Sequence, residues 1–178
     1  MNVAWNPNTS VKALDKLSND KDWIVRNSVA KNQNTSTEIL DKLSNDEDSG
    51  VRDNVARHKN TSIETLDKLS NDNEAVVRYS VAQNMNTSDE TIEKLSNDTN
   101  EWVRSSVANT TKSTKILSKL SKDGEWFVRN EVALNRNTPT DLLDKLSEDE
   151  NNHIVKSVIR NPNTSPTTLK KLTKHKNK

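Results

Sequence analysis

The chain has 178 residues, 30% hydrophobic and 30% charged, with a net charge of +1. It is long enough for one domain, too polar for a thick core, and lacks the charge imbalance that accompanies disorder. The absence of cysteine excludes disulfides, thiolate nucleophiles and cysteine-held metal centres, and near-neutral charge disfavours a nucleic-acid partner.

The N-terminus, "MNVAWNPNTS", has neither the basic n-region nor the apolar h-region of a secretory signal, and no later run approaches the ~18 apolar residues of a membrane span. A cytoplasmic location without membrane attachment is therefore expected. "NVAWN" matches the end of segments found later in the chain, so residues 1–19 read as a partial, capping repeat or as the start of a cut array.

From there the chain repeats itself. Ala4, Ala30, Ala56, Ala82 and Ala108 follow at steps of 26 residues, Ala133 after 25, and Ile159 after 26 again. The short step falls in "ANTTKS", a turn, where a deletion leaves both flanks in register. A fixed period of this size marks a solenoid or array. One domain spanning 1–178 is expected, with five central repeats over 20–148 and a C-terminal capping repeat with a basic tail over 149–178.

Each repeat predicts two amphipathic helices. The first, as in "TSTEILDKL", opens with Thr35 and Glu38 at capping-box spacing and carries Leu40 and Leu43 on one face. Thr61/Glu64, Thr87/Glu90 and Thr138/Asp141 repeat the box, with Pro139 expected at the first helical position. Glu38/Lys42, Glu64/Lys68 and Glu90/Lys94 have the spacing of favourable pairs along a helix. After the polar stop "SND", the second helix carries Val25 and Val29 one turn apart, repeated as Val51/Val55, Val77/Val81, Val103/Val107, Val128/Val132 and Ile154/Val158. Helices of about nine residues are unstable alone, so stacking must supply the stability. A strand-bearing leucine-rich repeat is excluded, because "LSND" follows the second leucine where an alternating run would be needed.

The stretch "LDKLSNDKDWIVRNSVAKNQNTS" resembles HEAT-like repeats, and more closely the leucine-rich repeat variant family. The resemblance runs from Val3 to about Leu172. It implies an all-α fold, a right-handed α–α superhelix of about six 26-residue two-helix repeats, with short helices, one of 3-10 type, and second helices lining a concave face. Members of that family that carry an iron–sulfur cluster hold it in a cysteine-bearing segment, which this chain lacks. HEAT-like DNA glycosylases pair aromatic residues with an aspartate in a basic groove; no Trp here is followed by an acid one turn later.

The charged columns Asp20/Arg26, Asp46/Arg52, Asp72/Arg78, Asp98/Arg104 and Asp123/Arg129 are each six residues apart. As the resemblance to HEAT repeats implies, they read as a structural ladder in which each guanidinium pairs with aspartates of its own and of the adjacent repeat; the alternative is a phosphate-binding stripe. Asp149 has Val155 at the arginine position, as a terminal repeat should. His58, His153 and His175 fall in different columns and make no metal-ligand spacing. The "NTS" tripeptides are by-products of turn and cap, and "LKKLTKHKNK" reads as a polar end cap rather than a basic binding run.

Variation among repeats points to function. The second-helix positions Trp23-Asn27-Lys31, Ser49-Asp53-Arg57, Ala75-Tyr79-Gln83, Glu101-Ser105-Asn109, Trp126-Asn130-Leu134 and Asn152-Lys156-Arg160 form one exposed stripe. Trp23, Arg57, Tyr79, Gln83, Trp126 and Leu134 are its partner-binding candidates. The competing reading lays Trp23 and Trp126 across a neighbouring repeat. Ile24, Val76, Trp102 and Phe127, one column inward, are expected in the core. The sequence thus predicts a monomeric, non-enzymatic scaffold for a protein or peptide partner, without cofactor; the alternative is a nucleic-acid-binding or DNA-repair protein using the arginine columns.

Overall fold

The structure, a computed structural model, describes residues 3–175, and side chains as far as Thr173. The His175 side chain and the last residues of the basic tail lie outside the described residues. The described chain is all-helical: a 3-10 turn at Val3–Trp5 is followed by α1 (Val11–Leu17), α2 (Trp23–Lys31), α3 (Thr37–Leu43), α4 (Ser49–Arg57), α5 (Ile63–Leu69), α6 (Ala75–Gln83), α7 (Asp89–Leu95), α8 (Glu101–Thr110), α9 (Thr114–Leu120), α10 (Trp126–Leu134), α11 (Thr140–Leu146), α12 (Asn152–Arg160) and α13 (Pro166–His175). Both helices of each repeat are α-helical; 3-10 geometry, expected within the repeat, occurs among the described residues only at Val3–Trp5. The chain forms two compact units, Met1–Thr91 and Ile92–Lys178, each built of stacked two-helix repeats in the manner of an α-solenoid. No helix among the described residues is long and apolar enough to cross a membrane.

First helices α1, α3, α5, α7, α9 and α11 are seven residues long, and polar caps stand at their ends. Their N-caps include Ser10, Ser36, Ser62 and Ser113; Ser36 and Ser62 stand one residue later than the capping boxes predicted at Thr35 and Thr61, and Ser36 makes no side-chain bond to the helix N–H groups. Ser62 Oγ accepts from Thr65 N–H at 3.1 Å. The threonines proposed as caps face the other way: Oγ1 of Thr35, Thr61, Thr87 and Thr138 donates to the carbonyls of Val29, Val55, Val81 and Val132 at 2.5–2.6 Å. They close the preceding second helix, adding a second donor to carbonyls that also accept the backbone N–H of the C-cap residues Asn32, His58, Asn84 and Asn135. Pro139 is accordingly the N-cap of α11, not its first residue. At the other end Ser18, Ser44, Ser70, Ser96, Ser121 and Ser147 each donate to the carbonyl three residues back.

Leucines of the first helix and valines of the second make the core. In the first unit Leu40, Leu66, Val51, Val55, Val77 and Val81 are fully buried; in the second, Leu117, Leu143, Val103, Val107, Val128 and Val132 are. Val25 is only half-buried, because the element below α2 is the short 3-10 turn. Second helices pack directly on one another, α2 on α4 on α6 and α8 on α10 on α12.

Between repeats, polar side chains supply regular rungs. Arg26 Nε and Nη2 donate to both oxygens of Asp46 at 2.6 and 2.8 Å, while Nη1 donates to the carbonyls of Asp20 and Lys21 at 2.9 and 3.0 Å. Arg52 repeats this on Asp72, Arg104 on Asp123 and Arg129 on Asp149. Arg78 Nη1 donates to the Asp72 and Asn73 carbonyls, and Arg104 Nη1 to the Asp98 carbonyl. Each aspartate also accepts a backbone N–H two residues on: Asp20, Asp46, Asp72, Asp98, Asp123 and Asp149 all do so at 2.9–3.0 Å. Side-chain exposure across these pairs is low, 16% for Arg52 and 7% for Asp72. Burial pushes the carboxyls of Asp46, Asp72 and Asp123 up, but the arginine fork, the backbone N–H and the guanidinium charge together hold them below the ordinary carboxylate range.

Asparagines form a second set of rungs. Asn84 Nδ2 donates to the Ala56 and His58 carbonyls at 2.7 and 3.0 Å, and Asn161 to those of Ala133 and Asn135 at 2.8 and 2.9 Å. His58 stands in this column. Its Nδ1 accepts Asn60 N–H at 3.0 Å, so Nε2 carries the proton and donates to the Asn32 carbonyl, also at 3.0 Å. Two of the lysines expected to pair along their own helix reach the preceding repeat instead: Lys42 and Lys68 Nζ donate to Ser18 and Ser44 Oγ at 3.0 and 2.8 Å. Thr65, Thr91 and Thr168 donate to the carboxylates of Asp41, Asp67 and Asp144 in the preceding repeat.

Two outcomes follow from these rungs. Arg52→Ala leaves the Asp72 carboxylate buried without its fork and should lower stability by about 2–4 kcal/mol. Arg52→Lys should recover only part of that, since an ammonium cannot fork; denaturant melts check both. Acid should act in two steps. Burial, against the Asn32 contact and with help from the Lys59 charge, holds His58 below its ordinary 6.5. Its neutral-state stability is therefore complete above pH 6.5 and lost as pH falls through the lower, folded value. The ladder aspartates, depressed from 3.8, lose theirs only below that pH. His58→Asn should abolish the upper step in a pH series of thermal melts and leave the lower one.

Candidate protein-interaction surface

The second helices are where repeats differ, and each end of these nine-residue rods has its own chemistry. Their N-terminal ends follow the acidic turn and carry large apolar side chains. In the first unit Trp23 is 47% exposed and Ile24 and Val76 are about as open. In the second unit Trp102 is 58% and Trp126 43% exposed, and Phe127 is half-buried. Ile24, Val76, Trp102 and Phe127 are thus not core residues, as their column had suggested. One turn further along, that column faces the neighbouring second helix and holds Ser28, Asn54, Ser80, Ser106, Glu131 and Ser157. At the helix start the same column is open, and Ile24, Val76 and Trp102 stand about half in solvent.

In the second unit these side chains meet. Trp102 and Phe127 stack with ring centroids 4.5 Å apart and planes 23° from parallel. Trp126 stands edge-on to Phe127 at 6.0 Å, and His153 lies tilted beside Trp126 at 5.5 Å. The rings form a row across α8, α10 and α12. Glu101, Glu125 and Glu150 precede or begin these three helices, and none makes an ion pair among the described residues. Sequence reasoning placed Trp126 here but missed Trp102, Phe127 and His153. The signal was available: Trp102 and Phe127 share one column in consecutive repeats, whose helices pack about 8–10 Å apart.

The C-terminal ends of α2, α4 and α12 are cationic, with Lys31, Arg57 and Arg160 in their last turns. A groove at the ends of α2 and α4 is lined by Lys31, Gln33, Asn54, Arg57, His58 and Lys59. Its counterpart at the ends of α10 and α12 is lined by Leu134, Arg136, Arg160, Asn161 and Pro162. Cations at this end and acids at the other suit the helix dipole. The rings have no such structural reason, since Ser49, Ala75 and Asn152 serve equally well at the Trp23 and Trp126 position.

Of the partner-binding candidates, Trp23, Arg57, Tyr79 and Gln83 lie in the first unit and Trp126 and Leu134 in the second. Arg57 Nε donates to the Asp53 carboxylate at 3.1 Å, and Gln83 Nε2 donates to Tyr79 Oη at 3.0 Å. The middle of the stripe has a structural task instead. Asn27 Oδ1 accepts from Asn54 Nδ2 at 2.6 Å, and Asn130 Oδ1 from Ser157 Oγ at 2.7 Å, while Asp53 accepts from Ser80. The histidines divide similarly: His58 is a buried rung and His153 part of the aromatic row. No group of three or more His, Asp or Glu among the described residues is placed to hold a metal ion.

No protein-family model matches the chain, and no curated protein does. Solved structures do. The leucine-rich repeat variant described as having a novel repetitive structural motif aligns over 92% of this chain with TM-score 0.72 and 28% identity, and the chain spans 65% of that structure's length. The Escherichia coli protein YibA aligns over 86% of this chain and 70% of its own, at TM-score 0.59 and 19% identity. An engineered protein aligns over 91% and 97%, at TM-score 0.51 and 19% identity. The last two show a shared fold alone; the chain is a helical-repeat protein, similar in structure and at 28% identity to the leucine-rich repeat variant.

Proposed function

We propose that the protein is a non-enzymatic scaffold that binds a protein partner through the exposed ends of its second helices. The observation that carries this reading is the division of labour between columns. Invariant residues are occupied in rungs between repeats, whereas Trp23, Trp126, Leu134 and their neighbours put apolar surface in water that the fold does not require. Exposed aromatic anchors ringed by polar groups are the composition of protein-binding surfaces. The described arginine forks are turned onto carboxylates and carbonyls, which speaks against a phosphate ladder and for the scaffold over the nucleic-acid reading.

The test is capture of binding proteins by the tagged chain from native lysate, run beside thermal melts. Tyr79→Ala and Trp126→Ala should reduce capture several-fold while changing stability by less than about 1 kcal/mol, as surface substitutions do. Arg78→Ala, which removes the bonds to the Asp72 and Asn73 carbonyls, should lower the melting temperature and leave capture intact below it. Equal losses of stability and of capture in all three would end the division of labour.

A further inference from the structure

We propose that the aromatic row of the second unit is a docking site for an arginine-bearing segment of a partner protein, an inference that rests on the scaffold reading and names the chemistry of the partner. Trp102, Phe127 and Trp126 present ring surface in a row, with Trp102 and Trp126 roughly half in solvent. Ring faces carry negative electrostatic potential and attract cations, tryptophan most strongly. The charges beside them have the same sign of preference: Glu101, Glu125 and Glu150 each stand within three residues of a ring on their own helix or at its start. Arg104 and Arg129, the guanidinium groups nearest in sequence, have their Nε and Nη2 committed to Asp123 and Asp149. The remaining cations on these helices are Lys156 and Arg160, one and two turns beyond His153 on α12.

Ring geometry selects among cations. Trp102 and Phe127 lie nearly parallel and Trp126 meets Phe127 at 87°, which makes an open row rather than the enclosing box that a methylated ammonium needs. A planar guanidinium stacks on an open ring face and can turn its N–H groups toward a carboxylate. Nucleobases also stack on such rings, but the three carboxylates would repel the phosphates that accompany them.

Fluorescence anisotropy of a labelled peptide of four Arg-Gly repeats, titrated with the full chain, tests the site. Binding should weaken in high salt, and a Lys-Gly peptide of equal length should bind less tightly. Trp102→Ala and Trp126→Ala should each weaken binding about tenfold, as loss of a desolvated cation–π contact does. The double variant Glu125→Gln/Glu150→Gln should weaken it and flatten its salt dependence, with Trp5→Ala as the unchanged control and circular dichroism confirming that each variant is folded. The inference would be overturned by no binding of the arginine peptide, by binding indifferent to Trp102→Ala and Trp126→Ala, or by tighter binding of a labelled oligothymidylate to the same rings. Self-association abolished by Trp102→Ala in sedimentation equilibrium would likewise replace the arginine segment with a second copy of the chain. A silent arginine peptide alongside lysate capture that still depends on Tyr79 and Trp126 would overturn this inference and leave the scaffold standing.

Discussion

A guanidinium fork joining one repeat to the next is the interaction on which the rest of the structure depends. Helices of seven to ten residues cannot persist alone, so each repeat is stable only through its neighbours. Arg26, Arg52, Arg104 and Arg129 make that dependence specific. Each gathers the carbonyls of its own turn on Nη1 and grips the next repeat's aspartate with Nε and Nη2. The aspartate is in turn pinned by the N–H two residues later, so one carboxylate sets its own turn's shape and the spacing to the repeat before. The pair is mostly shielded from water, where a missing partner is costly, and this makes the register all-or-none.

Around that fork the remaining polar residues form further rungs, which is how a chain with 30% hydrophobic residues holds a fold with so thin a core. Asparagine amides cap the alanine carbonyls of the preceding repeat, threonine hydroxyls close helix ends, and lysines reach the C-cap serines below them. Among the described residues no buried side-chain nitrogen or oxygen lacks a hydrogen-bond partner. His58 shows how specific each place is: it fills an asparagine's position by presenting one ring nitrogen as donor and the other as acceptor.

Because the rungs are satisfied locally, the ends of the second helices are free to vary without loss of the fold. Acids gather at one end and cations at the other, in the sense that the helix dipole favours, so charge alone does not mark a site there. Aromatic residues at the acidic end are different. They add nothing that serine or alanine at the same position fails to supply to the fold, and in the second unit they converge from three repeats into one surface.

How much of this was legible depended on whether a residue's partner lies at a fixed period. The helices and the leucine and valine core repeat with the chain, so spacing specified them; the aspartate and arginine columns repeat too, but spacing left a phosphate-binding stripe open, and packing showed that each fork takes the next repeat's carboxylate and only the carbonyls of its own turn. The N-caps were misread by one residue, because Thr35 and Ser36 are chemically alike and only the path of the chain shows that the threonine turns back to Val29. Lys42 likewise had an equally plausible partner on its own helix until packing brought Ser18 closer. The aromatic row was misassigned for a related reason: periodicity says which face of a helix a residue occupies, but not whether anything covers that face at the helix end. Trp102 and Phe127 share a column with buried residues one turn along, and only the stacking of α8, α10 and α12 decided that their rings stand in solvent and against each other.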